Sequence, residues 1–332
     1  MAGLRVGIDN YGLQPLGLSP LDLLRWALDN GAAGVQFSGL SPEENRYTDG
    51  SYLKDITQYA ASHDLYLEWG GGQHIPLDME SWKPKDVVSA NRKAVEEAFT
   101  LGARIVRSCS GGLMRWNAEN PGTETLLQLT AESLRSQAQM FRDHGVVLAI
   151  ETHFEFTTHE LLRLFRMCDT GPGDYLGICL DTMNLLTMLE DPVRAAERIL
   201  PWVVSTHIKD GALILTDLGL RAFPVPVGSG IVDFRQILER IESLPFPVNL
   251  SVEDHGGSFD LPVFDSRFLS EFPDLSLGEF VDLVRLSRVS EKAYRKADIQ
   301  IIDRNGWPSV CEERIKHDIE SLKAIAGCLF AE

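Results

Sequence analysis

The chain has 332 residues, 44% of them hydrophobic and 24% charged, enough apolar content for a large core and more length than a typical single domain. Asp and Glu total 48 against 31 Lys and Arg, a formal charge of −17 that opposes binding to a polyanion, and no basic face stands out. The start, MAGLRVGIDNYG, lacks a basic segment followed by a long apolar one, and no run approaches the roughly 18 apolar residues of a membrane span. A cytoplasmic protein with neither a membrane nor a nucleic-acid partner is therefore expected.

Cys109, Cys168, Cys179, Cys311 and Cys328 are scattered and never at CxxC spacing, which speaks against a disulfide framework or a thiolate zinc site. They read as small buried hydrophobes.

Short apolar runs alternate with amphipathic helical stretches along the whole chain. LRVGID is followed by SPLDLLRWALDNG, where Ser19 caps, Pro20 suits the first turn and Gly31 closes the helix. GVQFSG precedes SYLKDITQYAASHD; LYLEWGG precedes PKDVVSANRKAVEEAFTLGA; IVRSCSG precedes TETLLQLTAESLRSQAQMFRDHG. The fifth strand, VVLAIE, leads into TTHELLRLFRMC, and the sixth, YLGICLDT, into DPVRAAERIL. The seventh, VVSTHIKD, is followed by a loop containing FPVPVGSG and the helix VDFRQILERIESL. The eighth is VNLSVEDH, and after a long loop comes LGEFVDLVRLSRVSEKAYR as its helix.

Eight strand-then-helix units with mostly continuous apolar strands predict an α/β fold, a closed parallel (β/α)8 TIM barrel with a C-terminal helical extension. A doubly wound open sheet is the alternative, but it leaves edge strands, and all eight candidates read as buried. The barrel core is expected over residues 1–260, and the eighth helix and the extension, ending in EERIKHDIESLKAIAG, over 261–332.

Barrel chemistry sits at the carboxyl ends of the strands. Strand five ends in Glu151 and His153, strand six in Asp181 with Asn184 beyond, strand seven in His207, Lys209 and Asp210, and strand eight in Glu253 and His255. Three converging carboxylates repel one another and raise each other's pKa unless a cation joins them, and a divalent metal removes that cost. Glu151, Asp181, His207 and Glu253 form an oxygen-rich set with one nitrogen and no sulfur. That set favours Mn²⁺ first, with Mg²⁺, Co²⁺, Fe²⁺ or Zn²⁺ also compatible.

On AIETH (Glu151), CLDTMN (Asp181), STHIKD (His207), VPVGSGIVDFRQIL and SVEDH (Glu253), the chain resembles the xylose isomerase-like TIM barrels over roughly residues 4–255. That family includes sugar isomerases, ketose 3-epimerases, inosose dehydratases and AP endonucleases. The resemblance implies that the four residues hold one divalent metal and that Glu151 and Glu253 are the proton-transfer pair on opposite faces of the substrate. It places the loop with Gly228 and Gly230 on the substrate side, although both glycines are equally accounted for by a turn. Many members have a histidine where this chain has Asn184. The endonucleases carry further histidines and an Asp-x-His after strand seven, where this chain reads GSGIVDF and has only His74 near the end of strand three, so DNA repair ranks low.

His153 is either a catalytic base or hydroxyl ligand, or a loop cap; His255 carries the same two readings. Lys209 contacts a substrate carbonyl or carboxylate, or pairs with Asp210 or a rim acid. Arg107 and Glu68 line the pocket or pair with each other. Trp69, Trp116, Phe154 and Phe156 are sugar-stacking surfaces or core. GGG at Gly70–Gly72 lacks a phosphate-loop context, so an unphosphorylated carbohydrate is the expected small-molecule substrate. The expected function is metal-dependent isomerisation or epimerisation of a keto-sugar through an enediolate. A lyase or dehydratase acting on 3-oxo-glycosides or inososes is the alternative, and a non-catalytic sugar-binding protein ranks below both. The extension suits a homo-oligomer or a small partner subunit.

Overall fold

A computed structural model describes residues 4–39, 49–112 and 114–329. Eight parallel strands close into a barrel: β1 (Val6–Asp9), β2 (Gly34–Phe37), β3 (Tyr66–Gly72), β4 (Ile105–Ser108), β5 (Val147–Glu151), β6 (Leu176–Asp181), β7 (Val203–Ile208) and β10 (Leu250–Val252). β10 lies between β7 and β1, which completes the ring in chain order. Around it run α1 (Pro20–Asp29), α2 (Gly50–Ser62), α3 (Val87–Leu101), α4 (Thr123–His144), α5 (Thr158–Met167), α7 (Pro192–Ile199) and α8 (Phe234–Glu242), with one turn of helix, α6 (Asn184–Thr187), after β6 and a short helix, α9 (Ser266–Ser270), beyond the eighth strand. Ser19 caps α1 through the Asp22 N–H, with Pro20 at the first helical position.

Side chains alternate across each strand, so every second residue enters the barrel. Tyr66 occupies the floor, where its hydroxyl meets the Ser251 hydroxyl at 2.9 Å. Gly7 and Gly34 make room for it: a Cβ on either would stand 2.3 Å from a Tyr66 atom. Above lies a polar layer in which the Gln36 amide donates to Glu68 and to Ser205, 2.6 Å each, and Asn249 donates to Glu68 at 2.8 Å. Asp9, Arg107, Glu151, Asp181, His207 and Glu253 belong to the next layer, at the carboxyl ends of their strands.

Two parts of the chain depart from expectation. The run after β7, expected as a loop, is a hairpin of β8 (Asp210–Thr216) and β9 (Gly219–Val225), joined by Asp217 and Leu218 and extended by β11 (Phe259–Leu261) into a three-stranded sheet. The two final helices also exchange roles. The helix expected to be the eighth, α10 (Leu277–Arg295), packs on β8, and its Ser290 hydroxyl accepts the Leu213 N–H at 3.1 Å. The ring is completed by the last helix, α11 (Cys311–Cys328), against β1, β10 and α8. The physical reason is in the buried faces. α11 buries Cys311, Ile315, Ile319, Leu322 and Ala326 in the barrel core, whereas the buried face of α10 holds Leu283, Ser287 and Ser290 and leaves Val281, Val284 and Val289 exposed. The extension thus begins before the eighth barrel helix and covers the active end.

The glycine-rich turn before α8 is held by Asp210. Its carboxylate accepts backbone N–H groups from Gly211 (2.8 Å), Gly228 (2.9 Å), Gly230 (2.8 Å) and Val232 (3.2 Å). Gly228 has φ +87°, and a Cβ on Gly230 would lie 2.2 Å from Asp210 Oδ1, so both glycines are accounted for by the turn. Among the described residues no helix is long and apolar enough to cross a membrane.

Asp210→Ala removes the acceptor of four N–H groups in a buried turn, and unfolding in urea is expected to show a loss of about 2–4 kcal/mol. An unchanged midpoint would show that the turn holds itself.

Candidate active site

Each acid of the site sits beside a threonine or a turn that locks its strand. Thr152, next to Glu151, donates its hydroxyl to the Asp181 carbonyl (3.0 Å) and accepts the Asp181 N–H (2.8 Å). Thr182, next to Asp181, does the same with the Lys209 carbonyl (2.7 Å) and N–H (3.0 Å). Thr206, beside His207, bridges to the Asn249 carbonyl (2.8 Å) and the Ser251 N–H (3.2 Å). Three successive strand pairs are therefore cross-tied at the level of the ligand-bearing residues, which limits how far those side chains can drift.

Glu151, Asp181 and His207 each present a donor atom within 4.8 Å of the other two, and all three are buried. His207 Nε2 lies against the Gln36 amide oxygen and 3.5 Å from Asp9 Oδ2, and its Nδ1 points toward Glu151 Oε1 at 3.3 Å. That Nδ1 has no hydrogen-bond partner although the ring is fully buried. A buried ring nitrogen left bare costs about 1–3 kcal/mol, and a metal ion in the trio removes the deficit. The Gln36 contact places the proton on Nε2 and leaves the Nδ1 lone pair for a metal. Asp181 Oδ1 is engaged by the Met183 and Asn184 N–H groups (2.9 and 2.8 Å), so Oδ2 is the oxygen left to face the site. Asn184 also donates to Glu151 Oε1 at 3.3 Å, which orients that carboxylate.

Glu253, expected as the fourth ligand, stands apart from the tight trio. Lys209 draws it away: the ammonium is ion-paired with Glu253 and lies 3.0 Å from Asp181 Oδ2. Of the two readings of Lys209, the structure thus shows pairing with rim acids, and Asp210 turns instead to its loop. Arg107 pairs with Glu151 rather than with Glu68. Burial raises the Glu253 carboxyl, but Lys209, His255 and His207 together more than offset it and the pKa falls to about 2. At Glu151, burial is likewise outweighed by Arg107 and His207, and the pKa lies well below the usual carboxylate value. Counting Asp9, Glu151, Asp181 and Glu253 against Arg107 and Lys209 leaves two negative charges. Burial opposes a charged His207 ring, but Cys179, Glu151 and Asp9 hold its pKa well above the ordinary value, so without a metal the ring offsets one of these charges, and a divalent cation would take that proton's place.

Glu151, Glu253, Lys209, Arg107, Asn184, His153 and His255 line a cavity of about 520 Å³, with Asp181 and His207 buried beside it. His153 Nδ1 bonds Glu155 at 3.0 Å, and Cys109 Sγ lies 4.0 Å from Glu155. Burial opposes a charged imidazole, yet Cys109 and Glu155 hold the His153 pKa well above its ordinary value. His255 stands edge-on to Tyr11, with centroids 5.3 Å apart, and burial lowers its pKa to about 4.

Two expected substrate contacts do not reach the cavity. Glu68 is one layer down, its oxygens taken by Gln36, Ser205 and Asn249. His74 is buried with Nδ1 2.9 Å from the Ser108 hydroxyl, and burial lowers its pKa to about 4. Of the four aromatics, Trp69, Phe154 and Phe156 belong to hydrophobic clusters and Trp116 packs edge-on against Phe268. Asp9, Gln36, Glu155 and Arg304 are site residues that sequence reasoning missed. Asp9 and Gln36 follow the same strand-end rule as the acids of strands five to eight; it simply extends to strands one and two.

Replacing His207 by Asn is expected to abolish stoichiometric Mn²⁺ binding, and Gln36→Leu to weaken it about 10- to 100-fold by releasing the ring. Titration calorimetry with equal affinities for both variants and the wild type would contradict this ligand set.

The chain spans 62% and 43% of the lengths of two curated relatives that it matches. Protein YihM of Escherichia coli K12 is 22% identical over 222 residues, 67% of this chain. The 3-oxo-isoapionate decarboxylase of Pectobacterium atrosepticum is 29% identical over 122 residues, 36% of this chain. Solved structures share the fold at low identity. The zinc-bound IOLI protein superposes with a TM-score of 0.65 at 14% identity, covering 99% of this chain and 100% of its own. The probable 3-DHS dehydratase AsbF of Bacillus anthracis gives 0.60 at 17%, covering 81% and 97%. An L-ribulose 3-epimerase gives 0.57 at 19%, covering 89% and 97%. The model of the xylose isomerase-like TIM barrel family matches residues 24–267, most of the barrel, and the chain belongs to that family.

Proposed function

We propose that the protein is a divalent-metal-dependent enzyme that removes a proton from the carbon beside a carbonyl of a small carbohydrate, giving isomerisation or epimerisation. The observation that carries this reading is the buried trio of Glu151, Asp181 and His207 at the carboxyl end of the barrel, with Glu253 beside it at the same cavity. Glu151, Asp181 and His207 would hold the ion, with Glu253 as the fourth donor, and Mn²⁺ is the ion their chemistry favours. When bound, it supplies a Lewis acid that polarises a carbonyl and its neighbouring hydroxyl.

The chain's own residues do the proton work. Glu253 and Lys209 form one acid–base unit. As the Glu253 carboxylate takes the C–H proton, its hold on the ammonium is released, and Lys209 is free to face the negative charge developing on the substrate oxygen. Glu151, held by Arg107 and Asn184, is ionised at rest and would relay a proton from water to the opposite face, while the proton taken by Glu253 passes to water, so both carboxylates end as they began. A mirror-related pair of carboxylates is what epimerisation requires, and the L-ribulose 3-epimerase among the fold neighbours suits this reading.

A lyase reading has its own supporting observation. His153, paired with Glu155 and held above its ordinary pKa, is an imidazolium at the cavity that can protonate a departing oxygen once the enediolate has formed. A dehydratase among the neighbours and a decarboxylase among the relatives suit it.

The test is incubation in D₂O with Mn²⁺ and a panel of keto-sugars and 3-oxo-glycosides. Solvent deuterium is expected at the carbon beside the carbonyl, with a loss of about 100-fold or more in Glu253→Gln. A Glu253→Gln variant of near-normal rate would remove that residue from the mechanism. Under the lyase reading, His153→Ala lowers product release of the leaving group and spares deuterium exchange; loss of both together places His153 in the first step.

A further inference from the structure

The cations at the cavity are not equivalent. Arg107 is committed to Glu151, Lys209 to Asp181 and Glu253, and His153 to Glu155. His255 is tied through Nδ1 to the Gly256 carbonyl at 3.0 Å. Arg304 also lines the cavity, and among the described residues it has neither a carboxylate partner nor a hydrogen bond.

Its placement is built into the backbone. The loop after β10 carries the Gly256–Gly257 pair, with φ of +66° and +100°. The Gly257 N–H donates to the Ile302 carbonyl at 2.8 Å. A Cβ on Gly256 would stand 2.8 Å from that same carbonyl, and one on Gly257 would stand 3.4 Å from Arg304 Nε. Glycine at 256 lets segment 302–304 lie this close to the loop after the eighth strand, and glycine at 257 allows the positive φ of the turn. Beyond it, Trp307 Nε1 donates to the Gly12 carbonyl at 2.8 Å and the Trp307 N–H to the Asp303 carbonyl at 3.0 Å, which pins the segment to the loop after β1. The extension thus delivers one anchored guanidinium to the rim, its head exposed.

We infer that Arg304 binds a carboxylate on the substrate, so that the substrate is a sugar acid oriented with its acid group at the cavity mouth. The chain's net charge of −17 gives an anion no general attraction, and at the cavity Arg107 and Lys209 are already taken up by Glu151, Asp181 and Glu253. An acidic group on the substrate therefore gains most from a cation not already neutralised. A guanidinium fork matches the two oxygens of a carboxylate. Among the described residues the other cations lining the cavity are already paired, and one such fork suits a monoanion better than a phosphate dianion. The inference deepens the proposed carbohydrate chemistry and rests on that reading of the site, but its test reads binding and not turnover.

The probes are D-gluconate, D-glucitol and D-glucitol 6-phosphate, titrated by calorimetry into the Mn²⁺-loaded and the metal-free protein. Gluconate is expected to bind about 10- to 100-fold more tightly than glucitol, as one charge-assisted contact allows. Arg304→Gln should erase that preference while leaving glucitol affinity and the melting temperature unchanged, and Arg304→Lys should keep part of it. Three results would overturn the inference: no gluconate binding at about 10 mM, a preference that survives Arg304→Gln, or a stronger Arg304-dependent preference for the phosphate. Loss of deuterium exchange with intact gluconate preference would instead count against the proposed chemistry alone.

Discussion

Four carboxylates, Asp9, Glu151, Asp181 and Glu253, are each at most 4% exposed at the mouth of one barrel, and their mutual repulsion is the constraint that organises the site. Buried charges persist only when paired. Lys209 is shared by Asp181 and Glu253, Arg107 holds Glu151, and the His207 ring stands between Asp9 and Glu151. The excess of negative charge and the bare imidazole nitrogen are together what a bound divalent ion would satisfy, a closer fit than the ligand types alone. The pairing also sets the resting state of the bases. Under the proposed chemistry, a carboxylate held at about pKa 2 would take a proton readily only as its cation turns elsewhere, which would make Glu253 and Lys209 one unit.

Such a site needs a rigid frame. Gly7 and Gly34 allow Tyr66 to fill the floor; Gln36 links the polar middle layer to His207; three threonine hydroxyls cross-tie β5 to β6, β6 to β7 and β7 to β10. The segments after the eighth strand pack on this frame. β11 joins the hairpin that follows β7, α10 covers that hairpin, and segment 302–304 rests on the glycine pair after β10. The same extension supplies the helix that closes the barrel, so the segment that brings Arg304 to the cavity is continuous with the fold itself.

The barrel was legible because eight apolar runs alternate with helices, and the acids were legible because strands five to eight each end in a titratable residue. Asp9 and Gln36 obey the same rule, but a single acid after a first strand reads as a turn residue and a glutamine carries no charge to flag it. The partner of Lys209 was beyond reach, since Asp181, Asp210 and Glu253 all lie at neighbouring strand ends and only side-chain direction chooses among them. The exchange of α10 and α11 has a plainer cause. Both are amphipathic, and the first in sequence was assigned to the ring, whereas the Cys311, Ile315, Ile319, Leu322 stripe fills the barrel better than the serine-bearing face of α10. Arg304 escaped notice because its position depends on two glycines some 47 residues earlier, a relation that only the folded chain displays.

The central claim is that this cluster of acids is completed by a metal ion. Its most direct test is the metal content of the folded chain, loaded with excess Mn²⁺, passed through gel filtration and counted by mass spectrometry of the elements. One equivalent retained per chain is the predicted result. A folded chain that retains none would contradict the account, because Lys209, Arg107 and the His207 ring would then be the whole of the site's compensation.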